Sequence, residues 1–395
     1  MKPFHAVVLG SRFGGSAVLV WLRRYFSPAE LRITVVDQWH DMTYRPGLVK
    51  TFIAGPDRTL SGVSVPLIGY WRRHRINFLH DTIVGLDPDR RLVYTATHPP
   101  LAYDVLFIAT GSTPRWDAVP GLDLYQRGIC ERYLARHTAA LSQKNPQGRF
   151  LFVAGPILAP PHWQPSIKVG CECPLIEAAL LWDVYLRRQK ARQRAEIWVI
   201  TAASQLAEDA GPKAHQLVLE LLRQRQIRVI TNAQYQAVSR HALTVNQKTL
   251  DYDHIAWIPP QGGSSWLRAT NVDDGYGWVP TDPYLLHPEW MNIYAVGDVV
   301  SHSWPKMGHA AMIQARIAAQ HWAWRQKKCK VKPSPYEPAI LWLMDIEPGL
   351  SLFVKSNVFY GGTQEFARLS RAAYVAKNLF QWGYVRTRGA LPLMP

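Results

Sequence analysis

The amino-terminal stretch constrains this chain most. His5-Ala6-Val7-Val8-Leu9 is a buried-strand pattern, followed by Gly10-Ser11-Arg12-Phe13-Gly14-Gly15 and a helical run from Ala17 to Tyr25. A second apolar strand, Leu31 to Val36, ends in Asp37. This is a βαβ unit built to hold a dinucleotide. Gly10 makes the tight turn, Gly15 lets helix and strand pack closely, and the helix N-terminus faces a pyrophosphate. Asp37, about twenty residues past the glycines, is placed for a ribose hydroxyl pair. Arg12 departs from the pattern, which asks for a glycine there. Lys2 ahead of an apolar run looks superficially like a signal peptide, but Arg12 interrupts it. The strand–turn–helix reading fits better, and no leader is expected.

Two later stretches extend the pattern. Tyr103-Asp104-Val105-Leu106-Phe107-Ile108-Ala109-Thr110-Gly111-Ser112 is a strand feeding a small-residue turn. Asn292-Ile293-Tyr294-Ala295-Val296-Gly297-Asp298 is a strand ending in Gly-Asp before another helix. In this order the three resemble the flavoproteins with two dinucleotide-binding domains. The resemblance implies an α/β fold with two Rossmann-like domains, glutathione-reductase-like, plus a C-terminal membrane-attachment region. It implies FAD held by Gly10, Arg12, Phe13, Gly14, Gly15, Asp37, Arg45, Thr110, Gly111, Gly297, Asp298 and Gly308. The expected FAD domain is discontinuous, 1–113 with 285–330; a second domain covers 114–284, and a quinone- and membrane-binding region covers 331–395.

The second domain should carry a nicotinamide site, and its residues argue otherwise. Its first strand, Arg149 to Ala154, leads into Gly155-Pro156-Ile157-Leu158-Ala159-Pro160-Pro161. Prolines remove the N–H donors a phosphate cradle needs. The next strand, Glu196 to Thr201, ends without an acidic residue for ribose. No nicotinamide cofactor is expected there, so electrons must come from elsewhere.

Val169-Gly170-Cys171-Glu172-Cys173-Pro174-Leu175-Ile176-Glu177 opens a long helical pattern. A helix N-terminus lowers a thiol's pKa and favours the nucleophilic thiolate. The alternatives are small buried side chains in a turn, or half of a metal site. No second Cys/His cluster of metal-ligand spacing exists, so no metal is expected.

Gly170-Cys171-x-x-Pro174-x-x-Glu177 followed by a leucine-rich helix resembles the sulfide:quinone oxidoreductases, most strongly the branch found in thermoacidophilic archaea. Ordered matches run along the chain: Leu9 to Gly15, Tyr44-Arg45-Pro46, Cys130-Glu131, Ile258-Pro259-Pro260, Val279-Pro280-Thr281-Asp282, Pro305-Lys306-Met307-Gly308, Arg316 to His321 and Tyr360-Gly361-Gly362-Thr363. The resemblance implies oxidation of sulfide to zero-valent sulfur or polysulfide, with electrons passing through FAD to a membrane quinone. Cys171 would be the redox thiol. Cys130 would be attached to the flavin methyl group, a plain buried thiol being the alternative. Glu177 would hold or shuttle a proton, or else simply favour the helix start. Lys306 would stabilise the reduced ring at its pyrimidine edge, or else be a surface charge. The family takes a partner thiol from the segment before Tyr360, which here reads Ala339-Ile340-Leu341-Trp342-Leu343-Met344-Asp345 without cysteine. Cys329 sits in a basic helix end. Cys173 is the remaining candidate, since residues two apart share a face of an extended strand.

The net charge of +16 asks for an anionic partner. No base-reading motif is present, so nucleic acid is not expected and an anionic lipid surface is. No apolar run of about eighteen residues is long enough to span a bilayer. Phe366, Leu369, Ala373, Ala376 and Phe380 fall on one face of an expected helix over 366–380. Arg368, Arg371, Lys377, Arg386 and Arg388 surround that face, with Trp382 and Tyr384 as interfacial anchors. The expectation is a peripheral, monotopic membrane protein that brings a quinone near Phe353, Phe359 and Tyr360; the side of the membrane and a homo-oligomer stay open. The competing readings are a type-II NADH:quinone oxidoreductase, a family member that has lost sulfide oxidation with the missing thiol, and a non-catalytic flavin-bearing or nucleic-acid-associated protein.

Overall fold

The computed structural model describes residues 2–54, 62–67 and 69–389. Its helices, among the described residues, are α1 (Phe13–Tyr25), α2 (Leu48–Ala54), α3 (Tyr70–Arg73), α4 (Arg132–Lys144), α5 (Cys173–Arg188), α6 (Pro212–Gln224), α7 (Gly308–Arg325) and α8 (Arg371–Arg386). None is long and apolar enough to cross a membrane.

The near-continuous apolar runs form parallel strands buried on both faces, as such runs should. Phe4–Leu9 is the centre of a five-stranded sheet, flanked on one side by Leu31–Asp37 and Asn77–His80, on the other by Val105–Ile108 and Ile293–Ala295. Every adjacent pair is parallel. α1 and α7 pack together against this sheet, and Ala6 through Leu9 are fully buried.

A second parallel sheet runs Ile227–Ile230, Ala195–Thr201, Gly148–Ala154 and His254–Ile258 in that order. α5 crosses it. Pro174 fits its first turn, where no N–H is needed, and Arg187 and Arg188 complement the dipole at its end. Its leucines and Trp182 are buried among Phe52, Phe150 and Phe152. Each such side chain stabilises by about 1.5–3 kcal/mol. That burial anchors the helix whose first residue is Cys173.

An antiparallel sheet of Ile340–Glu347, Leu350–Ser356 and Glu365–Ser370 covers α5, and α8 lies across it. Here the expected helix over 366–380 is corrected. Residues 366–370 are the edge strand, and the helix begins only at Arg371. Ser370 caps it, its hydroxyl accepting from Ala373 N–H at 3.1 Å. The apolar spacing of 366 and 369 suits a helix, since residues three apart lie on opposite faces of a strand; pairing with Leu350–Ser356 overrode it.

Candidate functional site

The first βαβ turn is a cradle of small residues. Gly10 has φ +94°, and a Cβ there would lie 2.5 Å from the Ala109 carbonyl oxygen. A Cβ on Gly15 would lie 1.9 Å from the Gly10 oxygen, and Gly14 lies against Val296. Ser11 donates to one Asp37 oxygen through its N–H (2.7 Å) and hydroxyl (2.6 Å), while Trp39 N–H donates to the other at 2.9 Å. Asp37 is thereby fixed at the strand's end.

Arg12 caps α1 with no side-chain hydrogen bond to the helix. Burial and the neighbouring Arg45 push its guanidinium down to about 10. Arg45 pairs with Glu131 at 2.5 Å, yet its buried Nε has no partner. Arg12 at the helix N-terminus, facing Arg45, favours a further anion there even with Glu131 and Asp37 nearby. The Thr110 hydroxyl is also buried without a partner, next to Gly111 at φ +74°. Gly297 N–H donates to Gln314 at 2.7 Å, and burial raises the Asp298 carboxyl against the pull of Lys306 and Arg45. Phe13 lies against the Gly308 backbone and 4.6 Å from the Tyr384 ring. Orphaned donors, paired cations and glycine-sized gaps at the mouth of a parallel sheet fit FAD.

The second sheet repeats the arrangement with different chemistry. α5 follows Gly148–Ala154 as α1 follows Phe4–Leu9, but its start carries Cys171 and Cys173 where the first cradle has glycines. Glu172, between the thiols, accepts from the Thr201 hydroxyl and from Ala207 N–H at 2.8 Å. Thr201 ends the strand at which a ribose-binding acid would stand.

Two expectations about the thiols are corrected. Glu172 is helical (φ −95°, ψ −25°) and Cys173 is the first residue of α5, so the two cysteines do not share the face of an extended strand. Nor does the helix end make them acidic: burial dominates and pushes Cys171 and Cys173 far up, and Cys130 to about 12. Their charged surroundings also differ. Cys171 feels Cys173, Cys130, Asp209 and Asp298, whereas Cys173 feels chiefly Glu177 and Lys377. All four cysteines are free, and Cys329 packs against the first core.

Glu177 is buried, and Lys377 of α8 reaches it at 2.5 Å. Lys377 was expected among the lipid-facing cations; at 4% exposure it is instead an interior residue. Tyr384, expected as an interfacial anchor, is fully buried. Both lie on the side of α8 that packs inward with Ala373, while Val375, Leu379 and Trp382 face out. Lys306 is buried too. Its ammonium donates to the Val300 carbonyl at 2.6 Å and lies 4.5 Å and 5.2 Å from the Trp163 and Trp278 ring centres. Burial lowers it to about 7, Asp298 and Asp274 pulling the other way. Phe353 meets Phe366 at 5.5 Å, and Phe359 meets Tyr360 at 5.2 Å. The Tyr360 hydroxyl is buried with no partner.

Sequence reasoning missed Asp209, Asp345 and Lys50, which the fold brings toward this site. No local pattern marks them; they come from three separate elements.

The family model for pyridine nucleotide-disulphide oxidoreductases matches residues 4–315. The sulfide-quinone reductase of Aquifex aeolicus (strain VF5) is 27% identical over 308 residues, 75% of this chain and 68% of that protein. The mitochondrial sulfide:quinone oxidoreductase of Mus musculus is 24% identical over 328 residues, 80% of this chain and 69% of that protein. The crystal structure of the Aquifex aeolicus sulfide:quinone oxidoreductase superposes with a TM-score of 0.86 at 21% identity, covering 98% of this chain and 92% of that one. NDH2 of Plasmodium falciparum, solved with NADH, superposes at 0.73 and 13% identity over the full length of both chains.

Proposed function

This chain belongs to the pyridine nucleotide-disulphide oxidoreductase family as an FAD-binding oxidoreductase, and on that premise we propose that it oxidises sulfide to zero-valent sulfur or polysulfide and delivers the electrons to a membrane quinone. One observation carries the reading. The helix that would bind a nicotinamide dinucleotide opens on Cys171 and Cys173, and Glu172 with Thr201 fills the place of the ribose-binding acid.

The residues divide the work as follows. Gly10, Arg12, Phe13, Gly14, Gly15, Asp37, Arg45, Thr110, Gly111, Gly297, Asp298 and Gly308 hold the FAD, and Cys130 attaches to it covalently. FAD, when bound, takes an electron pair from reduced sulfur and gives it up to a quinone. Cys171 is the thiol that receives sulfide sulfur, and Cys173 supplies the second thiol in place of one from the C-terminal segment. Glu177 accepts the proton that hydrosulfide loses. Lys306, in its indole cage beside Gly170 and Asp298, would stabilise the reduced ring at its pyrimidine edge. Quinone reaches the site past Phe353, Phe359 and Tyr360, from a membrane surface touched by the outer face of α8. The division into 1–113 with 285–330, 114–284, and 331–395 follows these roles.

Anaerobic addition of sulfide to the FAD-loaded protein should bleach the oxidised-flavin band, and a short-chain quinone should restore it. A band that persists in excess sulfide defeats the reading. Bleaching by NADH instead would make the chain a type-II NADH:quinone oxidoreductase.

A further inference from the structure

Glu177 lies one helical turn beyond Cys173 and begins a chain of charges that does not end at Lys377. The Lys377 ammonium is 2.5 Å from a Glu177 oxygen and 3.5 Å from Asp345 Oδ2. The Lys50 ammonium, from α2, is 2.9 Å from that same Asp345 oxygen and donates to Asn378 Oδ1 at 2.8 Å. Ser351 donates to the other Asp345 oxygen at 2.6 Å. Acid and ammonium alternate from the thiol outward: Cys173, Glu177, Lys377, Asp345, Lys50. The inner three charges are almost inaccessible, whereas the Lys50 side chain is 27% exposed.

Two features distinguish this line from a structural ion pair. Asp345 Oδ2 is shared by both ammoniums, 2.9 Å from Lys50 and 3.5 Å from Lys377, so one oxygen bridges the inner and outer cations. The four charges also sum to zero. A proton taken up at Glu177 leaves the cluster one positive charge in excess until another proton departs. Such a cluster passes a proton on more easily than it stores one.

We propose that Glu177, Lys377, Asp345 and Lys50 are a relay that carries the proton lost by the sulfur substrate at the thiols to solvent at Lys50. The proposal rests on the sulfide reading above. The S–H bond of hydrosulfide breaks, its electron pair stays on sulfur, and the proton goes to the Glu177 carboxylate. Lys377 hands a proton to Asp345 and is refilled from Glu177; Lys50 releases one to water and is refilled from Asp345. One proton enters, one leaves, and no electrons travel along the line. Glu177 is suited to this: burial pushes it up to about 7, with Lys377 and Lys50 pulling down and Asp345 pushing up. Burial also acts to lower Lys377, but Glu177, Asp345 and Cys173 outweigh it and hold it above its ordinary value. Among the described residues, Tyr44 also faces this cluster, and the Tyr374 ring lies 5.5 Å from the Lys50 ammonium.

The test is anaerobic stopped-flow bleaching of the FAD-loaded full chain by sodium sulfide. Lys50→Met and Asp345→Asn should each slow bleaching roughly tenfold or more at saturating sulfide. Ethylamine in the buffer should restore Lys50→Met. Lys50→Arg keeps the charge and the ion pair but does not give up its proton, so it should be as slow as Lys50→Met. Wild-type rates in both Lys50 variants would overturn the relay while leaving the sulfide reading intact. So would a slow Lys50→Met that no amine restores beside a normal Lys50→Arg, which would make Lys50 a packing residue. A wild-type protein that sulfide does not bleach would overturn both.

Discussion

The Thr201 hydroxyl donates to the carboxylate of Glu172, joining the tip of one parallel strand to the residue between the two thiols. That bond, with Ala207 N–H on the other carboxylate oxygen, engages both oxygens of Glu172. It also leaves an acid buried with no cation beside it, and this has a pH signature.

Burial raises Glu172 to about 7, against the pull of Thr201 and Ala207. A folded-state pKa above the unfolded one means the native state holds a proton that the unfolded chain has released. Stability from this group is therefore full below pH 4.5, falls as pH rises to about 7, and is flat beyond. Glu177 and Asp209, also raised to about 7, add slopes of the same sign. Urea unfolding across this range should show the decline, and Glu172→Gln should flatten part of it.

Cys171→Ser should abolish bleaching by sulfide with FAD still bound. Cys173→Ser should remove most of it if the neighbouring thiol replaces the one missing from the C-terminal segment; full activity would exclude that role. Because burial pushes both thiols up, alkylation by iodoacetamide at pH 7 should be slower than for an ordinary cysteine and should quicken as pH rises.

Gly15→Ala places a methyl 1.9 Å from the Gly10 oxygen, and Gly10→Ala adds a left-handed backbone to a 2.5 Å clash. Both should yield protein with little or no FAD, measured as the flavin-to-protein absorbance ratio, and a melting temperature well below wild type.

Acid denaturation should leave FAD on the wild-type polypeptide and release it from Cys130→Ser. Flavin retained by the variant would refute attachment at that sulfur.

On α8, Val375, Leu379 and Trp382 stand four and then three residues apart and are all more than half exposed, with Arg386 over the Trp382 ring at 5.3 Å. Leu379→Glu with Trp382→Glu should lower flotation with phosphatidylglycerol vesicles severalfold without changing bleaching by sulfide. Unchanged flotation would move the attachment surface elsewhere.

The sequence alone determined the local geometry of the FAD cradle. Gly10, Gly15 and Asp37 follow from what a strand–turn–helix can accommodate, and neighbours in the chain impose that constraint. The apolar spacing of residues 366–380 is helical throughout, and cross-strand pairing with Leu350–Ser356 overrode it over 366–370. Thiol acidity was misjudged because a helix terminus is a local effect, whereas desolvation depends on everything packed around the group. Only the tertiary structure turned Lys377 inward to Glu177 and set Asp345 and Lys50 beyond it. A buried charge needs a counter-charge, and the chain brought this one from two hundred positions away.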